Sequence, residues 1–384
     1  GNGDHQGSGR VGGDGVMASF DEVLKDCTKL GTKIPTSEYL ENGKYPIIDQ
    51  GQNDIAGYHD SNDGLFEDVP TIVFGDHTRV VKYVDKPCFL GADGVKLLCP
   101  VSKNTNCKYL FYQLSYADIP NTGYNRHFKW VKALDFKIPS SDEQNHVVEV
   151  LDKVTELISL RKQQLARLDE LVKARFFEMF GEISDNSMNW DCFTIGKLIS
   201  TIESGWSGNG KQREKHADEI AVLKVSAVTK GYFIPTECKV LDDQHNIKKY
   251  VYPQKGDILF SRANTKEMVG ATVLIKKDYP DLILPDKLWK IRFCTDVNPI
   301  YMKHVLSTTT VRNAFSAAST GTSGSMYNVS MEKFKGVIIP VPPLPVQNEF
   351  VAFAECVDQQ KQTVQQSLEK LELMKKALMQ EYFG

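Results

Sequence analysis

No stretch of this sequence approaches the ~18 consecutive apolar residues that a membrane-spanning helix needs, so no partner membrane is expected. Eight cysteines lie scattered at 27, 88, 99, 107, 192, 238, 294 and 356 without one Cys-x-x-Cys pair, which signals neither a zinc ribbon nor a disulfide framework. Free thiols in a reducing cytoplasm are the expectation. The eight histidines are dispersed as well, with no Cys/His cluster, so neither a metal nor another cofactor is expected. Strong charge of one sign is missing too: the net charge is -3. It is uneven, however, and residues 182–345 carry 21 Lys/Arg against 17 Asp/Glu, a local excess of 21 − 17 = 4 that only weakly favours a polyanion. Residues 1–16 hold seven glycines and no apolar centre, and read as a flexible tail or cloning scar rather than a signal peptide. At 384 residues and 41% hydrophobic content, the chain can bury the cores of two or three domains.

What is present is a repeat. Ile138-Pro139-Ser140-Ser141-Asp142-Glu143-Gln144-Asn145 precedes a helical run ending at Phe180-Gly181, and Val341-Pro342-Pro343-Leu344-Pro345-Val346-Gln347-Asn348 precedes another ending at Phe383-Gly384. Pro139 and Pro342, Gln144 and Gln347, Asn145 and Asn348, Gly181 and Gly384, and Tyr124-Asn125 and Tyr327-Asn328 all pair at an offset of 203 without a gap. A repeat of this length implies two similar bodies, each followed by a long helix.

In the first helical run, apolar seam positions include Val147, Leu151, Val154, Ile158, Leu165, Leu168, Val172 and Met179, with Arg161 and Arg175 completing ten. In the second they include Phe350, Ala354, Val357, Val364, Leu368, Leu371, Leu378 and Tyr382, with Lys361 and Lys375. Eight apolar positions in ten over five heptads predict coiled-coil packing. Ser141 followed by Gln144 predicts a capping box, Pro345 suits a first helical turn, and Gly181 and Gly384 suit helix ends. Between the helices, Thr71–Phe74, Val80–Val84, Ile220–Leu223, Asp257–Phe260, Ala271–Ile275 and Gly336–Ile339 read as strands bounded by turns. The expected class is α+β. The expected segments are a tail 1–16, a first body 17–140, a helix 141–181, a second body 182–340 and a helical region 341–384. Seam pairing between helices of equal length predicts an antiparallel rod, with the bodies related by a pseudo-two-fold axis.

On these residues, together with Gly256-Asp257-Ile258-Leu259-Phe260-Ser261-Arg262 and Thr320-Gly321-Thr322-Ser323-Gly324, the chain resembles the specificity subunit of type I restriction–modification systems. The resemblance runs over residues 17–384. It implies two target-recognition domains, each reading half of a split double-stranded DNA target. It also implies helices that bind two adenine methyltransferase subunits, restriction subunits joining through that assembly, and no catalysis by the chain itself. A type II specificity subunit shares this build. An enzyme using a nucleotide or S-adenosylmethionine, and a coiled-coil adaptor without DNA binding, are the alternatives.

The enzyme reading has little to stand on. Gly205–Gln212 has P-loop spacing, but Gln212 stands where Ser or Thr must bind Mg²⁺. Asn298-Pro299-Ile300-Tyr301 resembles the motif that holds a flipped adenine in amino-methyltransferases, yet Ile300 replaces a proline, and a strand-end turn is expected there. The polar, basic and aromatic turns suit base edges and phosphates better. In the first body the candidates are Gln50, Gln52, His77, Arg79, Asn125, Arg126, His127 and Lys129. In the second they are Ser207, Lys211, Arg213, Arg262, Asn264, Lys266, Tyr327 and Asn328. For partner docking the candidates are Leu151, Val154, Ile158, Leu165, Leu168, Val172, Val357, Val364, Leu368, Leu371 and Leu378.

Overall fold

A computed structural model describes residues 15–91, 93–216, 218–318, 320–321 and 327–384. Residues 1–14, and Thr322-Ser323-Gly324 of the resemblance, lie outside the described residues. The chain forms two compact units. One runs through Gln163 and includes Gln365–Gly384; the other is Gln164–Val364. These units cut across the consecutive segments expected from sequence, because each body packs against parts of both long helices.

In the first unit, the fully buried strand Thr71–Gly75 forms a hairpin with Val81–Val84 and pairs on its other side with Val95–Pro100, which also pairs with Leu24–Asp26. Its neighbouring sheet joins Gly57–His59 to Tyr45–Ile48 antiparallel and Tyr45–Ile48 to Phe89–Leu90 parallel, with Ile47 opposite Phe89. The second unit repeats this frame. Ile258–Ser261 lies between Thr272–Leu274 and Leu288–Phe293, and Leu288–Phe293 pairs with Ile199–Ser204. Ala221–Leu223 lies between antiparallel Cys238–Leu241 and parallel Leu282–Ile283. The predicted strands are thus present, except that Gly336 ends the helix Met331–Gly336 and the strand expected over Gly336–Ile339 runs instead over Ile338–Pro340. Residue 16 belongs to the body rather than the tail, since Val16–Ser19 pairs with Asp135–Ile138.

The long helices are Ser141–Phe180 and Leu344–Phe383. All twenty seam positions are buried or half-buried, as the heptad spacing requires. In the second unit, Phe176, Phe180, Tyr301 and Phe350 pack their rings together, with Phe180 and Phe350 centroids 5.5 Å apart. Arg175 pairs with Glu349 and Lys361 with Asp169, so numbering falls along one helix as it rises along the other. In the first unit Lys162 pairs with Glu372, and Leu151 shares a core with Met379. Gly181 closes the first helix with φ 67, a conformation that favours glycine.

The expected capping box is corrected. The Glu143 N–H reaches the Ser140 hydroxyl, one residue earlier than expected, and buried Gln144 does something else. Its amide donates to Pro139 O (2.9 Å) and accepts from the Asn106 N–H (2.9 Å), while Asn106 donates to Asn145 (2.8 Å). The second unit repeats the bracket. Gln347 donates to Pro342 O (2.8 Å) and accepts from the Asn298 N–H (2.9 Å), and Asn298 donates to Asn348 (3.0 Å). The repeated Gln-Asn therefore fastens each body to the helix that leaves it. Gln347→Ala strands several buried polar groups and is expected to cost about 1–3 kcal/mol in the second unit, read by thermal unfolding. Unchanged melting would mean that the bracket is dispensable.

Candidate nucleic-acid interface

In the first body the structure brings three separate polar turns together. The Gln50 side chain accepts from the His77 backbone N–H (3.2 Å) and donates to Asp93 O (3.1 Å), and the Thr78 hydroxyl donates to Gln50 O (2.6 Å). His77 Nδ1 lies 3.2 Å from Asn125 O, and its ring stacks on Tyr124. Asn125 donates to Thr122 O. Arg79 adopts φ 62 and donates to Ile119 O (3.0 Å), which holds its turn and leaves it half-buried. Gln52, Arg126 and Lys129 are exposed, with the Lys129 ammonium 5.2 Å from the Trp130 ring centre.

His127 is a correction. It is 0% exposed, with Nδ1 against Asp76 O (2.9 Å) and Nε2 taking the Thr122 N–H (3.3 Å). A buried ring with both nitrogens occupied cannot touch a base, so His127 pins the loop that carries Tyr124, Asn125 and Arg126. Asp76, also buried, accepts from the Phe128 N–H (2.7 Å) at the same point.

In the second body Ser207, Arg262, Asn264, Tyr327 and Asn328 come together, although up to 121 residues separate them in the chain. Ala263–Asn264 pairs with Tyr327–Asn328. The Arg262 Nε–H donates to Asp286 O (2.9 Å), and Ser207 bonds the Asp286 carboxylate. Lys266 is exposed nearby, on the turn after Asn264. Lys211 and Arg213 lie apart, on and beyond the strand Gly210–Lys211 of the other sheet. Arg213 grips Glu219 with both terminal nitrogens, and this guanidinium, with the His216 N–H, holds the Glu219 carboxyl down at about 2. Arg213 also lines a cleft with Lys215 and Lys277.

The two surfaces occupy the same place in the repeated frame. The Asp76 N–H donates to Gly94 O and the Arg262 N–H to Lys287 O; the His127 N–H donates to Asp76 O and the Val329 N–H to Arg262 O. Asp93 and Asp286, aligned in the sequence, precede these acceptors. Sequence reasoning gave neither aspartate a role in the site. It also missed Asn106 and the structural role of Asn298, although Asn-x-x-Tyr recurs at 106–109 and 298–301 as a readable signal. The expected turn at Asn298 is instead a helix cap: its side chain accepts from the Ile300 N–H (2.9 Å), and buried Tyr301 donates to Pro340 O (3.0 Å). Gly205–Gln212 leads into a strand, so no helix N-terminus meets a phosphate there. Among the described residues, no group of three His, Cys, Asp or Glu could hold a metal ion, and no helix is long and apolar enough to cross a membrane.

The described residues thus form two mixed α/β bodies built on one repeated frame, each with its own polar surface. The chain belongs to the family described as the type I restriction modification DNA specificity domain, whose model matches residues 21–170 and 189–373. It is 24% identical over 212 residues to the specificity subunit of the type I restriction enzyme EcoEI of Escherichia coli, covering 53% of this chain and 36% of that one. It is 24% identical over 249 residues to the EcoKI specificity subunit of Escherichia coli strain K12, covering 59% and 53%. The chain thus spans about a third to a half of the length of these relatives. The fold is similar to that of the type I S subunit from M. genitalium, with TM-score 0.59 and 13% identity over 98% of this chain and 97% of that one. It also matches a chain from a structure of type I restriction–modification complex assembly and conformational transition, with TM-score 0.52 and 15% identity over 98% and 99%.

Proposed function

We propose that this chain is the non-catalytic, cytoplasmic DNA-reading subunit of a type I restriction–modification complex. Each body reads one half of a split double-stranded target. One observation carries the reading: the same backbone frame occurs twice, and each copy presents a different set of polar side chains. Arg suits guanine and Asn or Gln suits adenine, while Lys and Ser hold phosphates. Arg126, Lys129 and Gln52 in the first body, and Arg262, Asn264, Lys266, Tyr327 and Asn328 in the second, are the proposed contacts. Gln50, His77, Arg79, Asn125 and Ser207 position them, and Lys211 and Arg213 serve the flanking backbone.

The two long helices form an antiparallel coiled coil that docks two adenine methyltransferase subunits, through which restriction subunits join. Seam burial supports the coil, and exposed Leu157, Leu160, Leu171 and Phe177 on the first helix, with Leu373 and Met374 on the second, support docking. The leucines of the expected docking set are buried or half-buried, so they brace the helix seam and the exposed apolar residues meet the partner.

Mapping adenine methylation in a host with and without this chain tests the reading. A two-part motif with an unread spacer is expected only when the chain is present. Arg126→Ala should relax one half of that motif and Arg262→Ala the other, each by ~1–3 kcal/mol of discrimination. Absence of chain-dependent methylation, or simultaneous loss of both halves from either variant, would overturn it.

A further inference from the structure

We infer that Tyr124 is a stacking residue of the first body, its ring set by His77 to lie against a base of double-stranded DNA; this rests on the DNA-reading assignment above. Tyr124 is 87% exposed, more than any other exposed large apolar or aromatic side chain among the described residues. A ring left in water at a loop tip would ordinarily sample several rotamers. Here the His77 ring lies beneath it, 4.7 Å between centroids and 8° from parallel. His77 is itself held, by Asn125 O at Nδ1 and by Gln50 at its backbone N–H. The loop is closed at its base by buried His127, and at its tip the Asn125 N–H bonds Gly123 O (2.8 Å), with Gly123 at φ 80. The ring therefore loses little freedom on binding, which is the condition for a preorganised contact.

Its chemistry selects the partner. One face rests on His77 and the other is open, so the site offers a flat π-surface the size of a base. Arg126 and Lys129, both exposed, follow within five residues and supply charge for phosphates. A base offers the matching π-face whatever its identity. In a duplex that face opens only where a step unstacks, most easily at a pyrimidine–purine step. Tyr124 thus adds sensitivity to the deformability of the first half-site, beyond hydrogen bonding to base edges.

The test uses the full complex on a duplex carrying the mapped target, with 5-iodouracil placed in turn along the first half-site. Irradiation should cross-link one position to the peptide bearing Tyr124, because stacked aromatic rings couple efficiently to that base. Tyr124→Ala should abolish this adduct and weaken target binding roughly tenfold to a hundredfold. Tyr124→Phe should retain binding, and His77→Ala should lower the cross-linking yield. Adducts confined to other residues, or full affinity in Tyr124→Ala, would overturn the assignment. If the unaltered complex does not prefer the target over an unrelated duplex, the DNA-reading assignment itself fails and takes this one with it.

Discussion

Asp257→Ala is expected to destabilise the second unit by about 3–5 kcal/mol, because it leaves a buried ammonium without its counter-charge. Asp257 is 0% exposed and lies directly before the central strand Ile258–Ser261. One carboxylate oxygen meets buried Lys290 at 3.2 Å and the other meets Arg292 Nε at 2.6 Å. Gln254 completes the cluster, accepting from Lys290 (2.7 Å) and Arg292 (3.0 Å), while its backbone N–H donates to Asp257 (2.7 Å). Removing the carboxylate leaves Lys290 with only neutral acceptors, Tyr252 O and Gln254. Replacing the pair together, with Asp257→Leu and Lys290→Met, should recover part of the loss, since no buried ammonium is then left without a counter-charge. Denaturant unfolding of the three proteins measures both effects. On the split-target reading, Asp257→Ala should also erase one half of the methylation motif and spare the other. A loss below ~1 kcal/mol would mean that water reaches Lys290 and that the pair is not a buried one.

The parts of this molecule that were legible in its sequence are those with a period. The seams at Leu151, Val154, Leu368 and Leu371 follow from heptad spacing, which fixes the inward face of a helix whatever it meets. Buried strands such as Thr71–Phe74 follow from short apolar runs between turns. Gln144 and Gln347 were visible as a repeat, but Gln144 was misassigned to a capping box, because the sequence placed it at a helix start without showing the Asn106 N–H that reaches it, as the Asn298 N–H reaches Gln347. The recognition surface was harder. Asn125, Arg126, His127 and Lys129 were marked as candidates, yet the sequence could not say that His127 turns inward while Tyr124 turns outward. Ala263–Asn264 and Tyr327–Asn328 are two-residue strands, too short for any alternation to be read. Only tertiary pairing gathers Ser207, Arg262 and Asn328 around one loop.

Acid should unfold the second unit earlier than its carboxylates alone would require, and His304 is the reason. Its ring lies against Phe350 from the last helix, 5.0 Å between centroids and 87° apart, and stacks with Phe176 from the first long helix at 6.2 Å. Burial, and then the charges of Lys303 and Lys361, push its ionisation down to about 3, with Asp358 opposing only in part. An unfolded histidine titrates near ~6.5. Between those two values the unfolded chain binds a proton that the folded unit refuses, so stability is complete above pH ~6.5 and falls as pH drops toward 3. At about 1.4 kcal/mol per pH unit the full loss approaches 5 kcal/mol, of which roughly 2 kcal/mol is already gone at pH 5. His304→Phe keeps an aromatic ring among Phe176 and Phe350 and removes the proton. Its unfolding free energy should therefore change less between pH 7.5 and pH 5 than that of the unaltered chain, by about those 2 kcal/mol. The first unit provides an internal control, because its corresponding helix carries Tyr112, whose hydroxyl donates to Asp152 (2.6 Å) and whose ionisation burial moves upward, far from this range. Equal pH slopes in the two proteins would show that His304 is open to water in solution and that the aromatic cluster at Phe176 and Phe350 is looser than its ring distances indicate.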